Sequence, residues 1–225
     1  MQATARANSN IAFIKYWGNA DEALRLPMNP SLSMNLDGLY TETTVRWHDA
    51  ATDTLTINGE AANAKAAQRV SQHLDAVRAR LGLDARADVV SANNFPMGAG
   101  IASSAASFAA LTVAAVAAAG ATLDERELSC LARLGSGSAS RSVPTGFVEW
   151  TTGTTHEESY AFTVAPRDHW ALVYVVALVS AGHKDVVSRE GHTSAPMSEF
   201  QAARVATAQA RLDACKAALL DRDFA

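Results

Sequence analysis

The sequence predicts an α+β fold, because a β-rich beginning is followed by segments with a helical period. The first sixty of the 225 residues are rich in β-branched side chains, and they contain turn signals such as Asn58-Gly59. Residues 61–81 then place apolar side chains on one helical stripe. With 48% hydrophobic and 19% charged residues, the chain is long enough to bury one large domain or one domain and part of another.

The predicted elements follow from local patterns. Strands are predicted at residues 10–18, 31–36, 41–47, 54–59, 87–92, 146–150 and 170–179, the last as a nearly continuous apolar run buried on both faces. Helices are predicted at residues 61–81, 105–119, 122–135 and 196–220. Gly82 suits the C-cap of the first helix, and Thr122 with Glu125 resembles a capping box. The last helix has no strand after it, so either a partner covers its apolar stripe or sequence is missing.

Charge and composition exclude several classes of partner. The net charge is -4 and the basic residues are scattered, so the sequence does not predict a basic surface that would bind nucleic acid. A small ligand is expected instead. The alanine-rich run at residues 105–119 is too short for a membrane span, and the N-terminus has no apolar signal segment. Cys130 and Cys215 lie far apart in the sequence. We therefore expect both to be reduced core residues of a cytoplasmic protein.

Residues 93–106 form the first candidate site. Gly98 and Gly100 allow main-chain N–H groups to approach a ligand, and Ser103 and Ser104 add hydroxyl donors. The helix that follows has unpaired first-turn amides at its positive dipole end, which favours a phosphate. The spacing matches neither the Walker pattern nor the dinucleotide pattern. A tight loop into a buried helix, with the serines as caps, is the alternative.

Two further segments carry cations. Lys15 lies between Ile14 and Tyr16 at the edge of the first strand. Without other information, the simplest interpretation is that its side chain extends along the apolar surface and keeps its ammonium group in water. Residues 135–142 form a second glycine and serine cluster that ends near Arg141. Its composition is typical of a linker, but it runs into the apolar strand at 146–150. We therefore interpret it as a loop that approaches a ligand, with Arg141 placed for a bidentate pair with phosphate or carboxylate.

Residues 10–18, 93–106 and 135–150 closely resemble three signature stretches of the mevalonate diphosphate decarboxylases, members of the GHMP kinase superfamily. The resemblance covers nearly the whole chain, and the three stretches occur in the family's order. It implies a ribosomal-protein-S5-like ATP- and substrate-binding domain at residues 1–168, followed by an incomplete ferredoxin-like domain at residues 169–225. A homodimer is also expected, since the family is commonly dimeric.

The resemblance implies an ATP-dependent decarboxylation. The 3-hydroxyl of a 5-phosphorylated mevalonate takes the γ-phosphoryl group of ATP, this phosphate leaves, and carbon dioxide departs to form an alkene. Such chemistry asks the protein chiefly for positioning and charge stabilisation. A small-molecule kinase of the superfamily, such as a mevalonate or homoserine kinase, would stop at phosphoryl transfer. A non-catalytic nucleotide-binding or partner-binding module is a further alternative.

The family pattern assigns the following residues. ATP phosphates with Mg²⁺ would lie on Pro96, Gly98, Ala99, Gly100, Ala102, Ser103 and Ser104, with Ser104 as the metal ligand. Phosphorylated mevalonate would lie on Tyr16, Trp17, Gly18, Asn19, Ser136, Gly137, Ser138, Ala139, Ser140 and Arg141, with Ser188, Arg189 and Arg69 as further contacts. Lys15 and Arg141 are the expected catalytic cations.

Two departures from the family pattern affect the expected activity. The diphosphate-using enzymes typically have a lysine after Tyr-Trp-Gly, where this chain has Asn19. Loss of a cation there favours mevalonate 5-phosphate over mevalonate 5-diphosphate, although Arg141 and Arg189 could still bind two phosphates. The family's catalytic aspartate lies beyond the equivalent of residue 225. The chain is therefore expected to be a C-terminally shortened piece that binds ligands and turns over poorly.

Overall fold

The computed structural model describes residues 1–96, 103–177 and 188–224. Its strands are β1 Gln2–Ile14, β2 Asn19–Asp21, β3 Leu26–Pro27, β4 Ser31–His48, β5 Thr54–Ile57, β6 Glu60–Ala61, β7 Arg86–Asn93, β8 Phe147–Trp150 and β9 Ala161–Ala165. Its α-helices are α1 Ala64–Leu81, α2 Ser103–Ala118, α3 Glu125–Gly135, α4 Ser188–Ser194 and α5 Gln201–Asp221. Short 3-10 helices lie at Gly137–Ser142 and Ala195–Met197.

Strand β4 is the centre of a mixed seven-stranded sheet. The order is β6-β5-β7-β4-β8-β9, and β1 also pairs with β4. All pairings are antiparallel except β5 with β7. The predicted strands at residues 31–36 and 41–47 are therefore one strand of 18 residues. The α+β prediction is confirmed, and the separate two-stranded ribbon of β2 and β3 is an element that the sequence did not indicate.

Helix α2 fills the main core. Its alanines are almost all buried, and their small side chains let the helix lie close against β1 and β4. The Trp47 indole Nε1 donates to the Ala115 carbonyl at 2.8 Å, which fixes β4 to the middle of the helix. Helix α1 packs Leu74 and Val77 into the same core and ends at Gly82 in the left-handed conformation, as predicted.

Helix α5 covers a second, smaller core. Leu212 and Leu219 on this helix pack with Leu32, Met34 and Phe147. Lys216 adds an ion pair with Glu149, at 2.9 Å between Nζ and Oε2. The apolar stripe of the last helix, expected to lack partners, is thus partly covered by the sheet itself.

The predicted strand at residues 170–179 is wrong over the part that the structure describes. Residues 171–177 have no regular secondary structure, and residues 178 and 179 lie outside the described ranges. Val173 is 86% exposed and Val175 is 84% exposed, so the run is not buried on both faces. A strand is stable only when its backbone groups pair with a neighbour, and none of the described residues pairs with this run.

The predicted cap of α3 is also wrong by two residues. Asp124, not Thr122, is the N-cap: its Oδ1 accepts from the Glu127 N–H at 2.7 Å. The Glu127 carboxylate in turn accepts from the Asp124 N–H at 3.4 Å, which completes the capping box.

This cap gives a direct stability prediction. Asp124→Ala is expected to lower the free energy of unfolding by about 1 kcal/mol, because one first-turn amide loses its acceptor. Urea denaturation measures the change, with Thr122→Ala as the matched control. The control is expected to stay within about 0.5 kcal/mol, since Thr122 is exposed. Equal losses in the two variants would contradict the assignment of the cap to Asp124.

No helix within residues 1–96, 103–177 and 188–224 is long and apolar enough to cross a bilayer.

Candidate functional site

The first part of the site is the loop that follows β1, from Lys15 to Asn19. Its backbone is held by side chains from elsewhere in the chain. Asn29 Nδ2 donates to the Lys15 carbonyl at 3.0 Å, and Gln201 Nε2 donates to the Trp17 carbonyl at 3.1 Å. The Lys15 side chain is exposed, as the sequence predicted for an edge position. The loop is therefore shaped from both sides while its cation stays accessible.

The Tyr16 ring is the centre of the site. It stacks on His192 with ring centroids 4.2 Å apart, and it makes an edge-type contact with Trp150 at 4.7 Å between ring centroids. Gly137 touches the ring closely, since a Cβ at this position would lie 2.9 Å from the ring. The Tyr16 hydroxyl donates to the Asn19 Oδ1. Tyr16, Asn19 and Gly137, which the sequence assigned to the substrate, are thus brought together.

The second glycine and serine cluster is neither a linker nor an open loop. Residues 137–142 form a 3-10 helix in which the Ser140 hydroxyl donates to the Gly137 carbonyl at 2.8 Å. Ala139 is fully buried and its N–H donates to the Ser136 carbonyl at 2.7 Å. The Ser138 carbonyl accepts from Asn10 Nδ2 at 3.1 Å. This helix follows α3 directly and turns the chain back towards β1.

Arg141 lies inside the protein with only 4% of its surface exposed. Its Nη1 donates to Ser31 Oγ at 2.8 Å, and its Nη2 donates to Asn10 Oδ1 at 3.1 Å. Its Nε has no hydrogen-bond partner, and no carboxylate forms an ion pair with Arg141, among the described residues. A buried cation held only by neutral groups carries a desolvation cost that an anionic ligand can offset.

The ionisation of the site reflects this burial. Burial lowers the pKa of Arg141 to about 10, which still leaves it charged at neutral pH. Burial raises the pKa of the Tyr16 hydroxyl to about 12, so Tyr16 is a neutral hydrogen-bond donor. Burial together with four nearby cations lowers the pKa of His192 to about 4. In decreasing order of effect these cations are Lys15, Arg141, Arg25 and Arg204. At neutral pH the Arg141 guanidinium is therefore charged, whereas the His192 imidazole that stacks on Tyr16 is neutral.

The start of α2 meets the second cluster. The Ser104 and Ser136 hydroxyl oxygens lie 3.1 Å apart, although the two residues are 32 positions apart in the chain. The first turn of α2 contains Ser103 and Ser104 and no acidic residue, so nothing in it repels a phosphate. Pro96 precedes this turn. Gly98, Ala99, Gly100 and Ala102 lie outside the described residues.

These features fit ATP with Mg²⁺. Mg²⁺ is usually held by few protein oxygens together with phosphate oxygens and water, and Ser104 offers a hydroxyl oxygen at a helix start. No cluster of three His, Cys, Asp or Glu side chains that could hold a metal occurs in the described part of the chain. A metal at this position would therefore depend on phosphate oxygens as well as on the protein.

Arg69 supports the site from α1. Its Nη2 donates to the Gly135 carbonyl at 2.9 Å, and its guanidinium lies over the Phe108 ring at 4.5 Å. These contacts fix the residue just before Ser136. The side chains of Ser188 and Arg189 lie outside the described residues.

Sequence reasoning missed three residues of the site. Asn10 and Ser31 are buried polar residues on β1 and β4, and they hold Arg141. A polar residue at an inward-facing strand position is a usable signal, because such groups are buried only with partners. His192 carried no such signal, since the sequence placed it in a polar loop. Its contact with Tyr16 depends on the tertiary structure alone.

The chain was compared with protein-family models, with curated proteins and with solved structures. The Diphosphomevalonate decarboxylase-like N-terminal domain model matches residues 7–161. The diphosphomevalonate decarboxylase of Candida albicans is 38% identical over 99% of this chain, which spans 66% of that relative's length. The crystal structure of mevalonate diphosphate decarboxylase from Staphylococcus aureus superposes with a TM-score of 0.89 at 39% identity, over 99% of this chain and 68% of that one. A structure of MDDEF in complex with MVAPP, AMPPCP and magnesium matches with a TM-score of 0.87 at 37% identity, over 100% of this chain and 69% of that one.

The fold is that of the GHMP kinase superfamily, as the sequence resemblance predicted. Within this superfamily, the chain belongs to the diphosphomevalonate decarboxylase family.

Proposed function

We propose that the protein catalyses the ATP-dependent decarboxylation of mevalonate 5-diphosphate to isopentenyl diphosphate. The observation that carries the proposal is the buried Arg141 beside Tyr16, a cation without an acidic partner among the described residues, in a chain of this family. The matched relatives support the reaction, because they are named as decarboxylases of mevalonate diphosphate. The MVAPP, AMPPCP and magnesium of the matched MDDEF complex support mevalonate diphosphate, ATP and Mg²⁺ as the ligands.

Asn19 led us to expect mevalonate 5-phosphate as the preferred substrate. We now propose mevalonate 5-diphosphate instead. The curated relatives are named for the diphosphate. The structure also offers a physical reason for the change. The Asn19 amide is engaged by the Tyr16 hydroxyl and by Glu22, at 2.9 Å from Nδ2 to Oε2, so it serves the Tyr16 loop. Positive charge near His192, which stacks on Tyr16, comes instead from Lys15, Arg141, Arg25 and Arg204.

We expect different residues of the site to stabilise charge, to bind the substrate and to bind ATP. Lys15 and Arg141 would stabilise negative charge at the reacting centre, and Tyr16 would donate a hydrogen bond to the substrate. Ser103 and Ser104 would hold ATP phosphates, with Mg²⁺ supplying charge neutralisation where the γ-phosphoryl group is transferred. The division into domains at residue 168, the homodimer and the cytoplasmic location remain proposals.

The reaction can be tested with the protein encoded by the whole reading frame that contains this chain. Carbon dioxide released from 1-¹⁴C-labelled mevalonate 5-diphosphate is measured with ATP and Mg²⁺, beside ADP release and the same assay with the 5-phosphate. We expect carbon dioxide and ADP in equal amounts, and a kcat/KM about tenfold or more higher for the diphosphate. ADP without carbon dioxide would identify a kinase. Binding without either product would identify a non-catalytic module.

A further inference from the structure

His192, on helix α4, lies against one face of the Tyr16 ring. The two rings stack with centroids 4.2 Å apart and an interplanar angle of 24°. Two other neighbours of the ring are Trp150 on β8, which is fully buried, and Gly137 at the start of the 3-10 helix. The position of the Tyr16 ring therefore depends on two elements of the core and on α4, which follows them in the chain.

The same imidazole is itself fixed by the backbone of the loop. The Gly18 N–H donates to His192 Nδ1 at 3.1 Å. Because this nitrogen can accept only while it carries no proton, the contact needs the neutral imidazole. Burial, followed by the charge of Lys15 as the next largest cause, lowers the pKa of His192 to about 4, so the neutral form prevails at neutral pH. His192 thus makes a ring contact and a hydrogen bond within one loop.

Helix α4 and the loop fit closely at this point. A Cβ at Gly191 would lie 2.6 Å from the Trp17 ring, so a larger residue before His192 would push α4 away from the loop. The Trp17 carbonyl belongs to the same peptide group as the Gly18 N–H, and it accepts from Gln201 Nε2 at 3.1 Å. Both polar groups of this peptide are therefore paired with side chains of α4 and α5, which leaves the peptide plane little freedom.

A hydrogen-bond donor assists a reaction only when its position is fixed, and a displacement of about 1 Å can remove much of its effect. In the proposed function this donor is the Tyr16 hydroxyl. We infer that His192 is a positioning residue, whose stacked ring holds the Tyr16 ring in the orientation in which its hydroxyl donates to mevalonate 5-diphosphate. The inference rests on the proposed function. His192 acts through Tyr16 and not on the reacting atoms.

Steady-state kinetics of carbon dioxide release test the inference with the protein encoded by the whole reading frame. His192→Asn keeps an acceptor near the position of Nδ1 and removes the ring. We expect kcat/KM for mevalonate 5-diphosphate to fall at least about tenfold and the KM for ATP to change less than about threefold. The Tm is expected to stay within about 4 °C of the wild type.

His169→Asn is the matched control. His169 is also half-buried, its ring packs edge-on against the Phe147 ring, and its Nε2 lies 3.0 Å from the Leu219 carbonyl oxygen. Its kinetic constants are expected to equal those of the wild type. His192→Phe keeps a ring without the acceptor, and we expect it to retain more of the wild-type kcat/KM than His192→Asn does. The reverse order would overturn the inference.

A second background separates positioning from other roles. In Tyr16→Phe, which lacks the hydroxyl, His192→Asn is expected to lower kcat/KM less than about threefold, because no donor remains to be positioned. An equal loss in both backgrounds would show that His192 acts independently of Tyr16, and a parallel rise in the KM for ATP would show a structural role. Either result, or unchanged kcat/KM in His192→Asn, overturns the inference and leaves the proposed function intact. A wild-type protein that releases no carbon dioxide overturns both.

Discussion

Arg141→Gln is expected to weaken the binding of mevalonate 5-diphosphate by at least about 1.5 kcal/mol, roughly a factor of ten, with little change in thermal stability. The affinity falls because the variant removes a charged donor that has no acidic partner among the described residues. Water cannot easily replace that donor, since the residue is buried. The loss should be larger for a substrate with two phosphates than for a neutral ligand of the same shape.

The stability of this variant follows from the same burial. The wild-type fold carries the cost of a desolvated guanidinium, and glutamine removes that charge while it still offers one hydrogen bond to Asn10 or Ser31. We expect the Tm of the free protein to stay within about 4 °C of the wild type, which corresponds to roughly 1 kcal/mol. Differential scanning calorimetry measures the Tm, and Arg6→Gln, an exposed arginine paired with Glu42, is the control. A large fall in Tm with unchanged affinity would show that Arg141 is a structural anchor.

Gly135→Ala is expected to lower the free energy of unfolding by about 2–3 kcal/mol, the upper part of the range for overpacked cores. A Cβ at this position would overlap the Phe108 ring. The ring has little freedom to move, because Arg69 lies over its face at 4.5 Å and His73 packs against it at 5.2 Å between centroids. Gly135 therefore serves the contact of α3 with α2, whereas the sequence interpreted its cluster as a loop approaching a ligand.

A double-mutant cycle tests the cause of this loss. Phe108→Leu, Gly135→Ala and the combined variant are compared by urea denaturation. Leucine is smaller than the ring, so the combined variant should cost less than the sum of the two single changes by about 1 kcal/mol or more. Strictly additive costs would mean that alanine in place of Gly135 is disfavoured for a reason other than the Phe108 ring.

Periodic segments were predictable because their pattern is local. The stripe of α1 with Gly82 at its end, and the buried alanines of α2, needed no information from distant residues. The cap of α3 was not decidable, because Thr122 with Glu125 and Asp124 with Glu127 are two overlapping matches to one pattern. Only the true start of the helix chooses between them.

Segments that depend on neighbours were harder to predict. The apolar run from Trp170 has the composition of a buried strand, but composition cannot show whether a pairing strand lies beside it. Arg141 was found because it lies in a signature stretch, although its burial and its neutral partners were not foreseen. His192 was missed because its contact with Tyr16 joins distant parts of the chain.

The loop from Lys15 to Asn19 takes its shape from the far end of the chain. The Gly18 N–H donates to His192 Nδ1 at 3.1 Å, and the Trp17 carbonyl accepts from Gln201. A gene fragment that stops at residue 161, where the family match ends, would encode all three signature stretches and still leave the Tyr16 ring without the His192 ring that stacks on it. Expression limits chosen from family signatures alone would thus remove contacts that shape this loop, and any shortened version has to retain His192 and Gln201.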